Sequence, residues 1–122
     1  MADAGFQHLR LSMVKNVAVV EIRTREIHGP QLAQELGHEL TAVTAQDWAK
    51  RVLVNFRRVA FLSSTGFAAM FKLVSRARVE GREVKLSAMD PGVRLGAEIV
   101  GFDKVAEIHD DEGAALRAFA QA

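Results

Sequence analysis

A chain of 122 residues, 49% of them hydrophobic, suits one domain with a real core and needs no covalent staples. It contains no cysteine, which excludes disulfides, thiol nucleophiles and thiolate metal sites and fits a reducing compartment. Sixteen basic side chains nearly cancel fifteen acidic ones, so the charge excess is too small to build a broad nucleic-acid-binding stripe.

The opening residues, MADAGFQHLR, lack a basic segment followed by an apolar one, so no secretory signal is expected. No apolar run approaches the ~20 residues that span a bilayer. The expectation is a soluble, cytoplasmic protein without a membrane segment. Leu9, Leu11 and Met13 alternate with polar neighbours, the period of a half-exposed strand. Lys15-Asn16 reads as a short hairpin turn, and Val17 to Val20 as a strand buried on both faces. Residues 23–29, RTREIHG, are polar and read as a loop.

Pro30 suits a first helical turn, and Leu32, Leu36, Leu40 and Val43 follow at helical spacing, predicting a helix over about 30–46. Val52, Leu53, Val54 and Phe56 predict another buried strand, and the loop 57–60 leads into Phe61-Leu62. A second helix is expected over about 65–80, with Phe67, Met70, Phe71, Val74 and Ala77 on one face and Gly81 just past its end. Val84, Leu86 and Ala88 alternate as a strand. Asp90-Pro91 caps a third, short helix closed by Gly101. Val105, Ala106 and Ile108 suggest a short strand, and Asp110 or Asp111 a cap for a last helix. Helices alternating with strands from the third strand onward demand parallel pairing with right-handed crossovers. No repeat, low-complexity tract or linker interrupts the chain, so residues 1–122 read as a single domain.

Ser63-Ser64-Thr65-Gly66 concentrates hydroxyls between an apolar strand and an apolar helix. One serine capping the helix start explains one hydroxyl and leaves the others. Gly66 in a first helical turn costs up to ~1 kcal/mol against alanine, which suggests a close approach to the backbone. The same geometry offers free N–H groups and the positive end of the helix dipole to an anion, or to a phosphoryl group on a hydroxyl. Both readings stay open on spacing alone.

The stretch Val59 to Phe67, VAFLSSTGF, resembles the signature of the STAS domain, the sulfate transporter and anti-sigma-factor antagonist domain. The strand 52–56, the segment 75–86, Pro91 opening a helix and the segment 101–108, GFDKVAEI, resemble the family's other motifs in the same order. The resemblance implies an α/β fold: a mixed four- to five-stranded sheet with about four helices and an antiparallel N-terminal strand. It implies a non-enzymatic signalling protein of bacteria, an anti-sigma-factor antagonist. Such a protein binds an anti-sigma factor that is also a serine kinase, is phosphorylated on the motif serine, here Ser64, and is restored by a phosphatase. Ser63 and Thr65 are the alternative acceptors. Ser63 stands where the family carries an acidic residue, so a cap is retained here without its charge. A constitutive binder or scaffold of a signalling complex, assembling with copies or paralogues, is the alternative function. An anion or nucleotide sensor at the helix start is a third.

The partner-binding residues expected on this reading are Ser63, Ser64, Thr65, Gly66, Phe67, Arg57, Arg58 and His28, with Arg57 and Arg58 as anchors for an acidic surface or a phosphate. Lys72, Arg76 and Arg78 form a basic stripe on the second helix, without the interleaved aromatic side chains that nucleic acid would need. No Gly-x-Ser-x-Gly elbow is present, His8, His28, His38 and His109 are scattered, and no i, i+4 histidine pair suggests zinc. No catalytic residue, cofactor or metal is therefore expected. Gly92, Gly96 and Gly101 lie in and after a helix and read as packing and cap positions, not as a dinucleotide fingerprint.

Overall fold

The computed structural model describes residues 5–120; the bounds read from the sequence also take in residues 1–4 and 121–122, which lie outside the described residues. The elements in order are β1 (Leu9–Val14), β2 (Val17–Ile22), β3 (Glu26–Ile27), α1 (Gly29–Thr44), β4 (Arg51–Asn55), β5 (Phe61–Leu62), α2 (Ser64–Val79), β6 (Glu83–Ser87), α3 (Pro91–Ile99), a 3-10 turn (Phe102–Lys104), β7 (Glu107–His109) and α4 (Glu112–Ala120). β1 and β2 form an antiparallel hairpin. Lys15 and Asn16, at φ 49° and 69°, supply the left-handed pair that matches strand twist in a two-residue turn. The main sheet has five strands in the order β1-β2-β4-β6-β7, parallel from β2 onward.

Strand alternation sorts the side chains into two layers. Leu9, Leu11, Val20, Ile22, Val54 and Leu86 share one core with Leu36, Leu40, Met70 and Val74 of α1 and α2 and with Val93 and Ala97 of α3. Val17, Val19 and Leu53 pack on the opposite face against Ala115 and Phe119 of α4. Burial on both faces makes β2 and β4 read as continuous apolar runs. Lys85 is buried on the α4 face, where its Nζ reaches Glu107 at 3.1 Å and lies 5.0 Å from the centre of the Phe119 ring.

The segment read as a loop over residues 23–29 contains β3, which pairs in parallel with β5 in a separate two-stranded sheet. Two residues are too few to show a period of two, so this ladder left no pattern in the sequence. The last strand is Glu107–His109, while Phe102–Lys104 form the 3-10 turn that precedes it. Phe102 is fully buried, and the turn draws the chain inward at that ring before β7 begins. Asp111, of the two aspartates offered as a last cap, accepts the Ala114 N–H at 2.8 Å.

Two of the scattered histidines meet carboxylates: His109 bonds Glu107, two residues back on β7, at 2.8 Å, and His8 meets partners far away in sequence. His8, buried at the start of β1, bonds Thr24 through Nδ1 and Glu35 of α1 through Nε2 at 3.0 Å, while Glu39 accepts the Gln7 and His8 N–H groups at 2.8 and 2.9 Å. Their spacing of 27 and 31 residues hid these links. They pin the edge hairpin to α1. Gly96 is held by packing: a Cβ there would lie 2.8 Å from Phe67 Cζ.

The hydrogen bond from His8, then that from Gln31, holds the Glu35 carboxyl below its ordinary value of 4.5. Bonds from Lys85 and then His109 do the same for Glu107. A carboxyl depressed in the folded state adds stability above its unfolded value, and loses it as pH falls through the folded one. Urea midpoints are therefore expected to drop as pH falls below about 4.5, and Glu35→Gln and Glu107→Gln should each flatten part of that drop. A second outcome concerns packing: Gly96→Ala should lower stability by about 1–3 kcal/mol by overpacking Phe67.

Candidate functional site

The Ser63-to-Gly66 turn is built outward from the small sheet. Ile27 of β3 lies opposite Leu62 of β5, and the Ser63 N–H donates to the Ile27 carbonyl at 2.8 Å. The next residues in register, His28 and Ser63, are the N-caps of α1 and α2. The two helices, which pack along each other, therefore start side by side.

Ser63 takes the extended conformation of an N-cap, φ −71° and ψ 167°, and its Oγ accepts the Gly66 N–H at 3.2 Å. Its carbonyl accepts the Phe67 N–H at 2.8 Å and opens the helix. The capping hydroxyl is thus Ser63, half-buried and committed. Ser64 and Thr65, one and two residues on, are exposed. Gly66 is buried, and a Cβ there would stand 2.5 Å from Leu62 Cδ1 and 3.3 Å from Ile27 Cγ2. The close approach inferred from sequence is thus the two-stranded sheet itself, passing under the first turn of α2.

The other residues singled out fall in different places. His28 is exposed and makes no side-chain cap bond, so its ring is free beside the turn. Phe67 is 8% exposed, packed on Gly96 and Phe102; it supports the turn from beneath and offers a partner little surface. Arg57 and Arg58 follow β4 and pair with Glu21 at 2.9 and 3.7 Å. They line a cavity with Arg23, Arg25 and Met89, and no residue of the Ser63-to-Thr65 turn lines it. Among the described residues the structure therefore brings together Ser63, Ser64, Thr65, Gly66 and His28, and sets Arg57 and Arg58 apart.

Sequence reasoning missed an apolar surface beside the turn. Phe61 of β5 is 50% exposed, and Leu95 and Ile99 of α3 are 60% and 76% exposed. α3 lies against β5, and its Gly96 touches Phe67 of α2. The signal was present in the spacing of α3. Val93 and Ala97 fill its inner stripe, while Leu95 and Ile99, four apart, fall on the opposite one, so the helix is apolar on both sides.

A mixed sheet with an antiparallel edge hairpin and a capped Ser-Ser-Thr-Gly turn opening its second helix defines the class of protein. The STAS domain model matches residues 19–115, and the chain belongs to that family. Solved structures agree on the fold. An anti-sigma-factor antagonist (STAS) domain protein from Planctomyces limnophilus superposes with a TM-score of 0.74 at 17% identity, over 90% of this chain and 95% of that one. The Bacillus cell fate determinant SpoIIAA in its phosphorylated form gives 0.65 at 15% identity, over 90% and 98%. The STAS domain of a SulP transporter from Vibrio cholerae gives 0.66 at 18% identity, over 90% and 85%. No curated protein matches the sequence. Among the described residues no helix is long and apolar enough to cross a membrane.

Removing the cap should cost what a cap contributes: Ser63→Ala is expected to lower stability by about 0.5–2 kcal/mol, with Ser63→Asp near wild type and Ser64→Ala within about 0.5 kcal/mol, measured by urea unfolding. Gly66→Ala should cost about 1–3 kcal/mol, because the new methyl group would press on the buried side chains of Leu62 and Ile27.

Proposed function

We propose that this protein is an anti-sigma-factor antagonist of bacterial signalling, acting in the cytoplasm and switched by phosphorylation of Ser64. In this reading it binds an anti-sigma factor that is also a serine kinase, through the Ser63-to-Thr65 turn, His28 and the exposed Phe61, Leu95 and Ile99. Phosphate on Ser64 releases the partner, and a phosphatase restores binding. The protein itself catalyses nothing.

The observation that carries this reading is the division of labour between adjacent serines. Ser63 spends its oxygen on the Gly66 N–H, while Ser64 stands exposed at the first position of α2. A phosphate there would add about −1.5 to −2 charges at the end of the helix that favours negative charge, so the fold would tolerate it. An apolar partner surface would not, because burying an unpaired charge opposes docking. Capping needs only an acceptor oxygen, so Ser63 does this work without the acidic residue of the family pattern.

A second reading, a scaffold that is never phosphorylated, is favoured by that missing acidic residue and by the apolar outer stripe of α3. Phosphopeptide mapping of residues 59–72 after incubation with ATP and native cell extract separates the two. The switch predicts phosphate on Ser64 that disappears in Ser64→Ala. Phosphate on Ser63 or Thr65 instead would move the acceptor. No phosphate, with an active control kinase in the extract, would leave the scaffold, whose mass should then rise with concentration.

A further inference from the structure

Apart from the serine turn, the carboxyl ends of the parallel strands carry a concentration of positive charge. A cavity of about 600 Å³ is lined by Arg23, Arg25, Arg57 and Arg58, on the segments that follow β2 and β4. A second, of about 300 Å³, shares Arg23 and Arg58 and adds Arg10 of β1. Five of the chain's sixteen basic side chains thus meet at one end of a sheet whose whole chain carries a net charge of only +1.

Three carboxylates share these walls, and the five guanidinium groups outnumber them. Glu21 serves Arg57 and Arg58 together, Asp110 is held by Arg94 at 3.1 Å, and Asp90 Oδ2 accepts the Gly92 N–H at 3.0 Å. Among the described residues Arg10, Arg23 and Arg25 form no ion pair. Their backbones are nonetheless fixed. The Arg23 N–H donates to the His8 carbonyl at 2.7 Å, and the Arg25 carbonyl accepts the Ala60 N–H at 2.7 Å, tying the segment after β2 to the loop after β4. Guanidinium groups crowded on a fixed frame repel one another, and their planar forks match tetrahedral oxyanions in pairs. Open α/β sheets place ligands at this end of the strands. The remaining wall is Val59, Ala60, Ala88 and Met89, without an aromatic ring for a base to stack on, so the anionic group itself is what the cavity can recognise.

We propose that this arginine basin binds a multiply charged oxyanion of the phosphate class, free or carried as a phosphoryl group. The site is separate from the Ser64 turn and stands whether or not Ser64 is a switch.

Titration calorimetry and thermal unfolding with inorganic phosphate and pyrophosphate, against chloride at equal ionic strength, test it. Saturable binding is expected, tighter for pyrophosphate, with a matching rise in Tm. Arg23→Gln/Arg25→Gln, two exposed positions, should weaken binding at least about tenfold, while Lys72→Gln/Arg76→Gln, which removes the same charge from α2, should not. Phosphate also stabilises proteins by exclusion from their surfaces. A Tm rise equal in the wild type and both double variants, an equal effect of chloride, or no saturable heat would overturn the proposal. A phosphorylated peptide that competes with pyrophosphate would identify the carried form; one that does not, while pyrophosphate binds, would leave the free anion.

Discussion

The close pass of β3 and β5 beneath the first turn of α2 is the constraint on which the proposed site depends. Two residue pairs, Glu26 with Phe61 and Ile27 with Leu62, set the register. Gly66 lets α2 settle onto Leu62 and Ile27, where a methyl group would collide. From that contact follow the side-by-side helix starts, the Ser63 cap and the outward stance of Ser64. The five-stranded sheet supplies the platform, but the four-residue ladder decides which hydroxyl faces solvent. A short element can do this because its neighbours are rigid: α1 is pinned to the edge hairpin through His8, Glu35 and Glu39, and α2 is packed on Phe102 and α3.

Much of the fold was legible in the sequence because its signals are periodic or local. The apolar runs of β2 and β4, the heptad-like spacing of α1 and α2, the Asp90-Pro91 cap and the glycines after α2 and α3 each carry their physical reason within a few residues. Gly81 and Gly101 do take the left-handed conformation, at φ 85° and 87°. What escaped was non-local or too short for a period: β3, the His8–Glu35 link, and the 3-10 turn around Phe102. Within the candidate site, the sequence located the turn and suspected a close approach at Gly66. It left the capping serine undecided, because either hydroxyl satisfies the spacing; the extended backbone of Ser63 and the Gly66 N–H decide it. The grouping of Arg57 and Arg58 with the turn rested on their nearness in the chain. In space Glu21 draws them to the carboxyl ends of β2 and β4, where Arg23 and Arg25 are their neighbours.

The two candidate surfaces differ in chemistry. Around Ser64 the exposed groups are small hydroxyls, an imidazole and apolar side chains, a surface that suits a protein partner and is sensitive to one added charge. At the sheet's carboxyl end the exposed groups are guanidiniums over a polar row, with Arg10, Glu21, Asn55, Ser87 and His109 in register across the strands. That end is suited to anions. On the proposed reading, a charge change at the turn would alter docking without disturbing the ion pairs of Arg57 and Arg58 with Glu21.

The most direct measurement is the equilibrium affinity of three forms of the full chain for the partner that co-purifies with the wild type: the wild type, Ser64→Ala, and a chain carrying phosphoserine at position 64. Ser64→Ala is expected to bind like the wild type and the phosphoserine form at least about tenfold more weakly, a difference of about 1.4 kcal/mol. Equal affinity of all three forms would contradict it and make the turn a structural cap alone.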